Sequence, residues 1–446
     1  MSQINTINRK TIGQSIFSLA FPAVISSLVT VFYNLVDLFF IGQINDPNQV
    51  ASIALTMPVF MLIIGFASVL GVGGASYVSR LLGEKLYIQA KKVSSFCFWI
   101  GLILGGIFNI VFVMNMSWLA DLMGCSEMTK GPASGYLTIC SYGAYFLILQ
   151  VIFSFIIRAE GASKESTIGM ALGTVINIIL DPLFILKMDM GVQGAALATV
   201  IGAGVGTLYY LYYLFYDKQT ILSISLRWFR LKKNVIQEVF GVGFPTAVSF
   251  GLMSTSIIIL NNFLSSYGDV PVAAMGITVR LFSFIPLIQI GFSSGVQPLI
   301  GYNFGAKNIN NLQGIIKLSC KILFLIGMGF FVVLEVFAPF FASLFIQDKE
   351  VLQLSTHFIR IHTSIAPVLG FFFFSVTILQ SVGQKLIPLI LSVVRPIVLL
   401  VPMVYLLSST WGLYGIVWAQ PISDILSVIL AILLSKLTLR KIFIKE

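Results

Sequence analysis

Stretches of about 20 apolar residues recur along the whole chain, and they constrain its fold more than any other feature. A helix rises about 1.5 Å per residue, so each stretch is long enough to cross about 30 Å of hydrocarbon. Of the 446 residues, 57% are hydrophobic and only 10% are charged, which excludes a soluble protein of ordinary composition. We therefore predict an all-α integral membrane protein with about 12 transmembrane helices.

The chain also repeats itself after about 222 residues. Phe21-Pro22 returns as Phe244-Pro245, and the Gly191-x-x-Gly194 step returns as Gly412-x-x-Gly415. An even number of spans in each half means that both halves start on the same side, so the repeats are parallel. We predict two six-helix lobes, residues 1–217 and 235–446, joined by a basic linker at 218–234 and separated by a central cleft.

Lysine and arginine fall almost entirely into alternate loops, counted from the N-terminus. The loops of the other side hold only Lys130, Lys187 and Lys349, beside several acidic residues. Because cytoplasmic loops are enriched in Lys and Arg, we expect both termini and the linker in the cytoplasm of a multi-pass cell membrane protein. The net charge of +10 is then explained by membrane lipids as partners, without a nucleic acid.

Motifs for enzymatic chemistry and for ATP hydrolysis are absent from the sequence. Gly83-Glu84-Lys85 and Gly161-Ala162-Ser163-Lys164 lack the spacing of a phosphate-binding loop. The two histidines, His357 and His362, are accompanied by no metalloprotease motif and no Ser/His/Asp set. The four cysteines show no CxxC pairing, so neither zinc nor a disulfide framework is indicated. We expect no enzyme and no bound cofactor.

Two acidic residues lie inside apolar spans of the first half. Asp37 precedes the turn Asn45-Asp46-Pro47 by about two helical turns. Asp181 lies a similar distance before the turn from Met188 to Gly191, which is on the same side of the membrane. The corresponding positions in the second half, near Leu260 and Val401, are uncharged. An acid at membrane depth is costly unless it is protonated, paired or bound to an ion, so each is a functional candidate.

Three more polar residues return to the same depth: Asn177, one turn before Asp181, and also Thr199 and Tyr136. Two neighbouring carboxylates repel each other, which favours uptake of a proton or a small cation. We predict that these five residues form a cation- or proton-coupling pocket, with Asp37, Asn177, Asp181 and Thr199 as ligands if the ion is sodium. In the competing interpretation, they only hydrogen-bond neighbouring helices.

Proline accompanies both acids. Pro22 lies fifteen residues before Asp37 and Pro182 directly follows Asp181. Proline removes a backbone donor and weakens a helix, so we predict a bending point at Pro22. Other ionisable residues in the spans have no assigned role at this point: Arg280, Glu335, Arg360, Arg395 and Asp424.

These motifs resemble those of the multidrug and toxic compound extrusion (MATE) family, in particular its MepA-type bacterial branch. The resemblance covers nearly the whole chain. Its most specific parts are the N-x-x-L-D-P block at 177–182 and the G-x-x-G-A-A-x-A-T block at 191–199. Phe21-Pro22, Asn34 to Gly42 and Arg158-Ala159-Glu160-Gly161 also match.

The resemblance implies a V-shaped pair of six-helix bundles that exports amphipathic, often cationic drugs in exchange for H⁺ or Na⁺ by alternating access. By position, Asp37, Asn177, Asp181 and Thr199 match the family's cation site, Tyr136 an aromatic neighbour and Pro22 the bending point of the first span. Other members keep acids in the second lobe. Those acids lie in the first and fourth spans of that lobe, so coupling is expected to fall on the first lobe here. In the corresponding spans this chain offers Ser254, Thr255, Ser256, Asn261, Asn262 and His362 instead.

Two other functions remain open. A flippase for lipid-linked precursors would share the two lobes but should carry a strongly basic cleft, and few arginines lie in the spans. A channel or a membrane scaffold would not need buried carboxylates beside prolines in one lobe. The sequence identifies neither the coupling ion nor the individual drugs nor residues of the cleft. It carries no signal of subunit association, and we expect a monomer.

Overall fold

The computed structural model describes residues 10–44 and 46–445, with the backbone alone at 34, 35, 38, 253–255, 257 and 443–445. Asn45 of the first turn and the side chains of Ser254 and Thr255 are therefore outside the described part. The described residues are almost entirely helical, which confirms the predicted all-α fold class.

Eight α-helices build the first half. They run Ile12–Gly42 (α1), Pro47–Gly83 (α2), Tyr87–Met114 (α3), Met116–Leu122 (α4), Glu127–Tyr142 (α5), Ala144–Ala159 (α6), Ser163–Asp181 (α7) and Gly191–Tyr216 (α8), with a π-helical turn at Pro182–Lys187 after α7.

The second half follows the same plan. Its helices run Lys233–Ser265 (α9), Asp269–Phe282 (α10), Phe284–Gly305 (α11), Ile309–Ser343 (α12), Lys349–Thr363 (α13), Ala366–Ser381 (α14), Leu386–Val393 (α15) and Leu400–Lys445 (α16), with a π-helical turn at Val394–Leu399.

Local sequence chemistry sets several helix starts. The Asp46 carboxylate accepts from the amide of Asn48, and Pro47 occupies the first turn of α2, where its missing N–H costs nothing. Ser126 and Thr129 form a reciprocal capping box at the start of α5. Asp348 accepts from two amides at the start of α13.

By length and hydropathy, the described residues contain nine segments able to cross a membrane, or eleven when two bent pairs each count as one. The bent pairs are α5 with α6, at 57°, and α13 with α14, at 49°. The segment Leu386–Ile442 has 57 residues, about 85 Å as a straight helix and too long for one span. Gly412 breaks it with φ 59°, and a Cβ on Gly415 would collide with Leu407 O, so the chain reverses there. Division at Gly412 supplies a twelfth span.

The two halves meet along one face of the molecule. We call it the basic face, because its linking segments carry Lys85, Lys164, Lys218, Lys307 and Lys385. Here α2 packs on α9 and α11, and α1 packs on α11. A Cβ on Gly73 would collide with Val239 O, and one on Gly83 with Tyr302 O, so the backbones touch.

Away from the basic face the halves separate. At Gly65 the nearest atom across the interface from an added Cβ is 3.9 Å away, on Ala247, and a Cβ on Gly251 would have no described atom within 4 Å. The cleft between the halves is therefore V-shaped and opens on the face opposite the basic one.

The segment between α8 and α9 packs against the first half. Ser94 and Ser95 of α3 donate to the carbonyls of Ser223 and Ser225 at 2.9 Å and 2.8 Å, and Trp99 Nε1 donates to Ile224 O. These bonds fix the segment across the end of α3.

Glu160, just beyond the end of α6, holds the start of this segment. Its carboxylate accepts from Tyr213 Oη at 2.6 Å, from Thr220 Oγ1 at 2.9 Å and from Ile221 N at 3.0 Å. Burial raises the pKa of the Glu160 carboxyl to about 7, and the hydrogen bonds from Tyr213, Ile221 and Thr220 offset part of that rise. One side chain therefore ties α6, α8 and the linking segment together.

Replacing Glu160 by Ala is expected to release the linking segment, because three donors lose their acceptor. Trypsin should then cleave the purified protein faster at the exposed Lys218 and Arg227. Glu165→Ala is the matched control, since Glu165 accepts from Tyr209 of α8. Equal cleavage rates in the Glu160 variant and the parent chain would contradict the conclusion that Glu160 holds the linking segment.

Replacing Glu160 by Gln is expected to flatten the dependence of stability on pH. Because its folded-state pKa is raised above the ordinary 4.5, its contribution to stability is complete below that value and is lost as pH rises to about 7. The unfolding temperature in detergent should therefore fall less between about pH 5 and pH 8 in the Gln variant than in the parent chain. Parallel curves for the two proteins would refute the assignment.

Candidate cation or proton site in the first half

Close backbone packing brings α7 against α8. A Cβ on Gly173 would lie 2.7 Å from Gly202 O, and one on Gly202 would lie 3.1 Å from the Cβ of Asn177. Only glycine at both positions permits this approach, which is the usual way that helices associate in lipid. The contact places the polar side chain of Asn177 beside that of Thr199.

The predicted site residues come together at this contact. Asn177 Nδ2 donates to Thr199 Oγ1 at 3.4 Å, and Tyr33 Oη lies 3.3 Å from the same hydroxyl. The carboxyl groups of Asp37 and Asp181 are close enough to interact electrostatically. Asp181 is fully buried and Asn177 is 3% exposed, whereas Asp37 is half-buried.

Three oxygens of this cluster have no hydrogen-bond donor among the described residues. Both carboxylate oxygens of Asp181 and Oδ1 of Asn177 are buried and accept no hydrogen bond from any described residue. Buried oxygens are normally satisfied, and an unpaired buried charge is expensive. Three such oxygens in one place are suited to a proton or a cation.

The donor set favours a hard ion. Among the described residues, no three His, Cys, Asp or Glu side chains lie together in a way that could hold a metal ion. The two carboxylates would need amide, hydroxyl or backbone oxygens to complete a coordination shell. Oxygen ligands of this type suit sodium and do not suit a soft transition metal. A proton would instead bind directly to one of the carboxylates.

The helix changes character directly after Asp181. Asp181 is the last residue of α7, and Pro182 opens the π-helical turn Pro182–Lys187. Proline has no N–H for the α-helical ladder, which explains the irregular turn. The buried carboxylate therefore lies where the α-helical hydrogen-bond pattern ends, and π-turns often accompany functional sites.

Tyr136 lies at the edge of the cluster. Its ring packs against the apolar cluster that contains Ile41, Ile185 and Val192, and its hydroxyl interacts with Cys140 and electrostatically with Asp37. Its role as an aromatic neighbour of a cation site stays a prediction.

Tyr33 is the residue that the sequence reasoning missed. It lies four residues before Asp37 and therefore on the same face of α1. The same i, i+4 argument that paired Asn177 with Asp181 would have found it.

Pro22 is remote from the acids. It lies within the continuous helix α1, about 22 Å along the helix from Asp37. Its carbonyl accepts from Thr167 Oγ1 of α7 at 2.8 Å. The helix continues through Pro22, and the role of Pro22 as a bending point stays a prediction.

Charged residues in the spans of the second half behave differently. Arg395 Nε donates to Asp424 Oδ1 at 2.8 Å, and Gln420 adds a second bond to that oxygen at 3.0 Å. Arg360 lies 3.6 Å from Glu335. These acids are paired, whereas Asp181 is not.

Comparison with known proteins places the chain. The MatE family model matches residues 22–183 and 245–406, one match in each half. Multidrug export protein MepA of Staphylococcus saprophyticus is 33% identical over 97% of this chain and 95% of its own length.

Solved structures match this chain over nearly its full length. A MATE crystal structure in the straight conformation matches with a TM-score of 0.94 at 26% identity, covering 99% of each chain. The outward-facing structure of a multidrug resistance MATE family transporter matches at 0.93, with 26% identity and 98% of each chain. With matches in both halves and relatives of nearly equal length, the chain belongs to the MATE family of multidrug exporters.

Proposed function

We propose that this chain is a secondary active antiporter that exports amphipathic, often cationic small molecules in exchange for H⁺ or Na⁺. The observation that carries the proposal is the set of unsatisfied oxygens on Asp181 and Asn177 beside Asp37. A carboxylate without donors in a buried place gains most from a proton or a cation.

The basic face is proposed to be the cytoplasmic one. Positive residues are enriched in cytoplasmic loops, and the face that carries them here is the face where the halves touch. The cleft then opens to the outside of the cell membrane. This orientation is supported by the likeness to a transporter structure described as outward-facing.

Transport would follow from a change in charge at the site. The site holds two interacting carboxyl groups on α1 and α7, and a bound proton or cation relieves their repulsion. Asp181 adjoins the irregular turn at Pro182, where the lost backbone hydrogen bond makes bending of the helix easier. An ion can drive export only if its affinity differs between the outward-open and inward-open states.

The substrate class comes from the relatives and from the cleft. MepA of Staphylococcus saprophyticus is named a multidrug export protein. A cleft between two bundles of mainly apolar helices suits ligands with a large apolar surface. Such ligands include the amphipathic cations proposed here.

Replacing Asp181 by Asn is expected to reduce efflux of a fluorescent cationic dye at least about ten-fold, because the amide cannot exchange a proton or carry the charge that binds a cation. Asp37→Asn should act in the same direction. The measurement is dye efflux from energised cells with matched expression. Asp46→Asn is the control, since asparagine retains the helix cap. Unimpaired efflux in the Asp181 variant would reject the site.

Replacing Thr199 by Val is expected to separate the two coupling ions, because it removes an oxygen but no charge. In liposomes with separately imposed gradients, a sodium-driven exporter should need at least about ten-fold more sodium, as a ligand is lost. A proton-driven exporter should keep its maximal rate. Transport that responds to neither gradient in the parent chain would contradict antiport.

A further inference from the structure

A cluster of three charges crosses the interface between the halves at the basic face. Arg80 of α2 donates to Glu238 Oε2 of α9 at 2.7 Å, and Lys385, just before α15, reaches Glu238 Oε1 at 2.6 Å. Arg80 belongs to the first half, whereas Glu238 and Lys385 belong to the second. One carboxylate is therefore shared between a cation across the interface and a cation on its own side.

Two glycines leave the space that the side chains of Arg80 and Lys385 occupy. A Cβ on Gly383 would lie 2.5 Å from a terminal nitrogen of Arg80, and Gly383 has φ +81°, where other residues are strained. A Cβ on Gly241 would lie 2.7 Å from Cδ of Lys385. The guanidinium and the lysine stem each fill the space that a side chain would occupy.

The other polar and ring contacts of the Arg80 side chain lie within its own half. Arg80 also lies over the Tyr77 ring, 5.2 Å from its centroid, and its Nε donates to Ser76 O at 3.3 Å, both within α2. Ser76 in turn donates across the interface to Gln380 O. If the halves part, Arg80 keeps its partners on α2, and Glu238 keeps Lys385.

We propose that Arg80, Glu238 and Lys385 form an electrostatic latch in which Arg80 holds the basic face closed and Lys385 lowers the cost of opening it. The Glu238 side chain is only 24% exposed, so leaving its carboxylate without a partner costs free energy. Lys385 removes that cost, because Glu238 stays paired after Arg80 has left.

The latch predicts opposite effects for two cations that bind the same carboxylate. Arg80→Met removes the bond that crosses the interface and should favour opening. Lys385→Met leaves Glu238 with Arg80 as its one remaining cation in the cluster. Opening would then leave the carboxylate without a partner, so the population of the closed state should rise. A purely structural role would loosen the basic face in both variants.

Hydrogen exchange on the full-length protein in lipid nanodiscs tests this. Exchange of peptides covering residues 76–86 and 298–308 should be about three- to five-fold faster in Arg80→Met, the range expected for one ion pair, and slower in Lys385→Met. Lys130→Met is the matched control, because Lys130 pairs with Asp121 at 2.6 Å within the first half. Unfolding temperatures identify variants that have simply lost stability.

Distances between nitroxide labels at the exposed positions Ile88 and Asn310, one in each half at the basic face, provide an independent measure of opening. The longer distances should gain population in Arg80→Met and lose it in Lys385→Met. Changes in the same direction, or no change in either variant, would overturn the latch. The latch rests on the proposed exchange between outward-open and inward-open states. Neither measurement needs substrate or coupling ion, so failure of the latch and failure of the proposed transport can be distinguished.

Discussion

Direct contact between helix backbones at glycine is the interaction on which this structure depends. In hydrocarbon the hydrophobic effect does not draw helices together, so close packing of small residues has to do so. Gly173 and Gly202 bring α7 against α8 and thereby assemble the polar cluster. Gly73, Gly83 and Gly305 bring the two halves together at the basic face and thereby fix the shape of the cleft.

The two halves share a plan but treat buried charge differently. In the first half, Asp181 is fully buried and accepts no hydrogen bond from a described residue. In the second half, Asp424 is equally buried but is held by Arg395 and Gln420. A satisfied ion pair gains little from another ion, whereas an unsatisfied carboxylate gains much. The repeat therefore supplies the scaffold, and its departures from symmetry supply the chemistry.

Sequence reasoning predicted the fold class and grouped most residues of the candidate site, because both follow from local rules. Span length gives the all-α membrane fold, and helical spacing with equal depth groups Asn177, Asp181 and Thr199. Tyr33 obeys the same spacing and was overlooked. The bend between α5 and α6 was not predicted, because it depends on the close packing of Val200 of α8 against Gly143. The pairing of Glu238 across the halves likewise depends on tertiary packing.

The Asp181 site and the latch differ in the free energy that each is expected to contribute. A partly exposed ion pair such as Arg80 with Glu238 contributes about 1 kcal/mol at most. A carboxylate at membrane depth costs a few kcal/mol until it is protonated or paired. Since the Asp181 site involves the larger free energy, loading it with an ion can outweigh the latch, whereas the latch alone cannot hold the cleft against an ion that favours the other state.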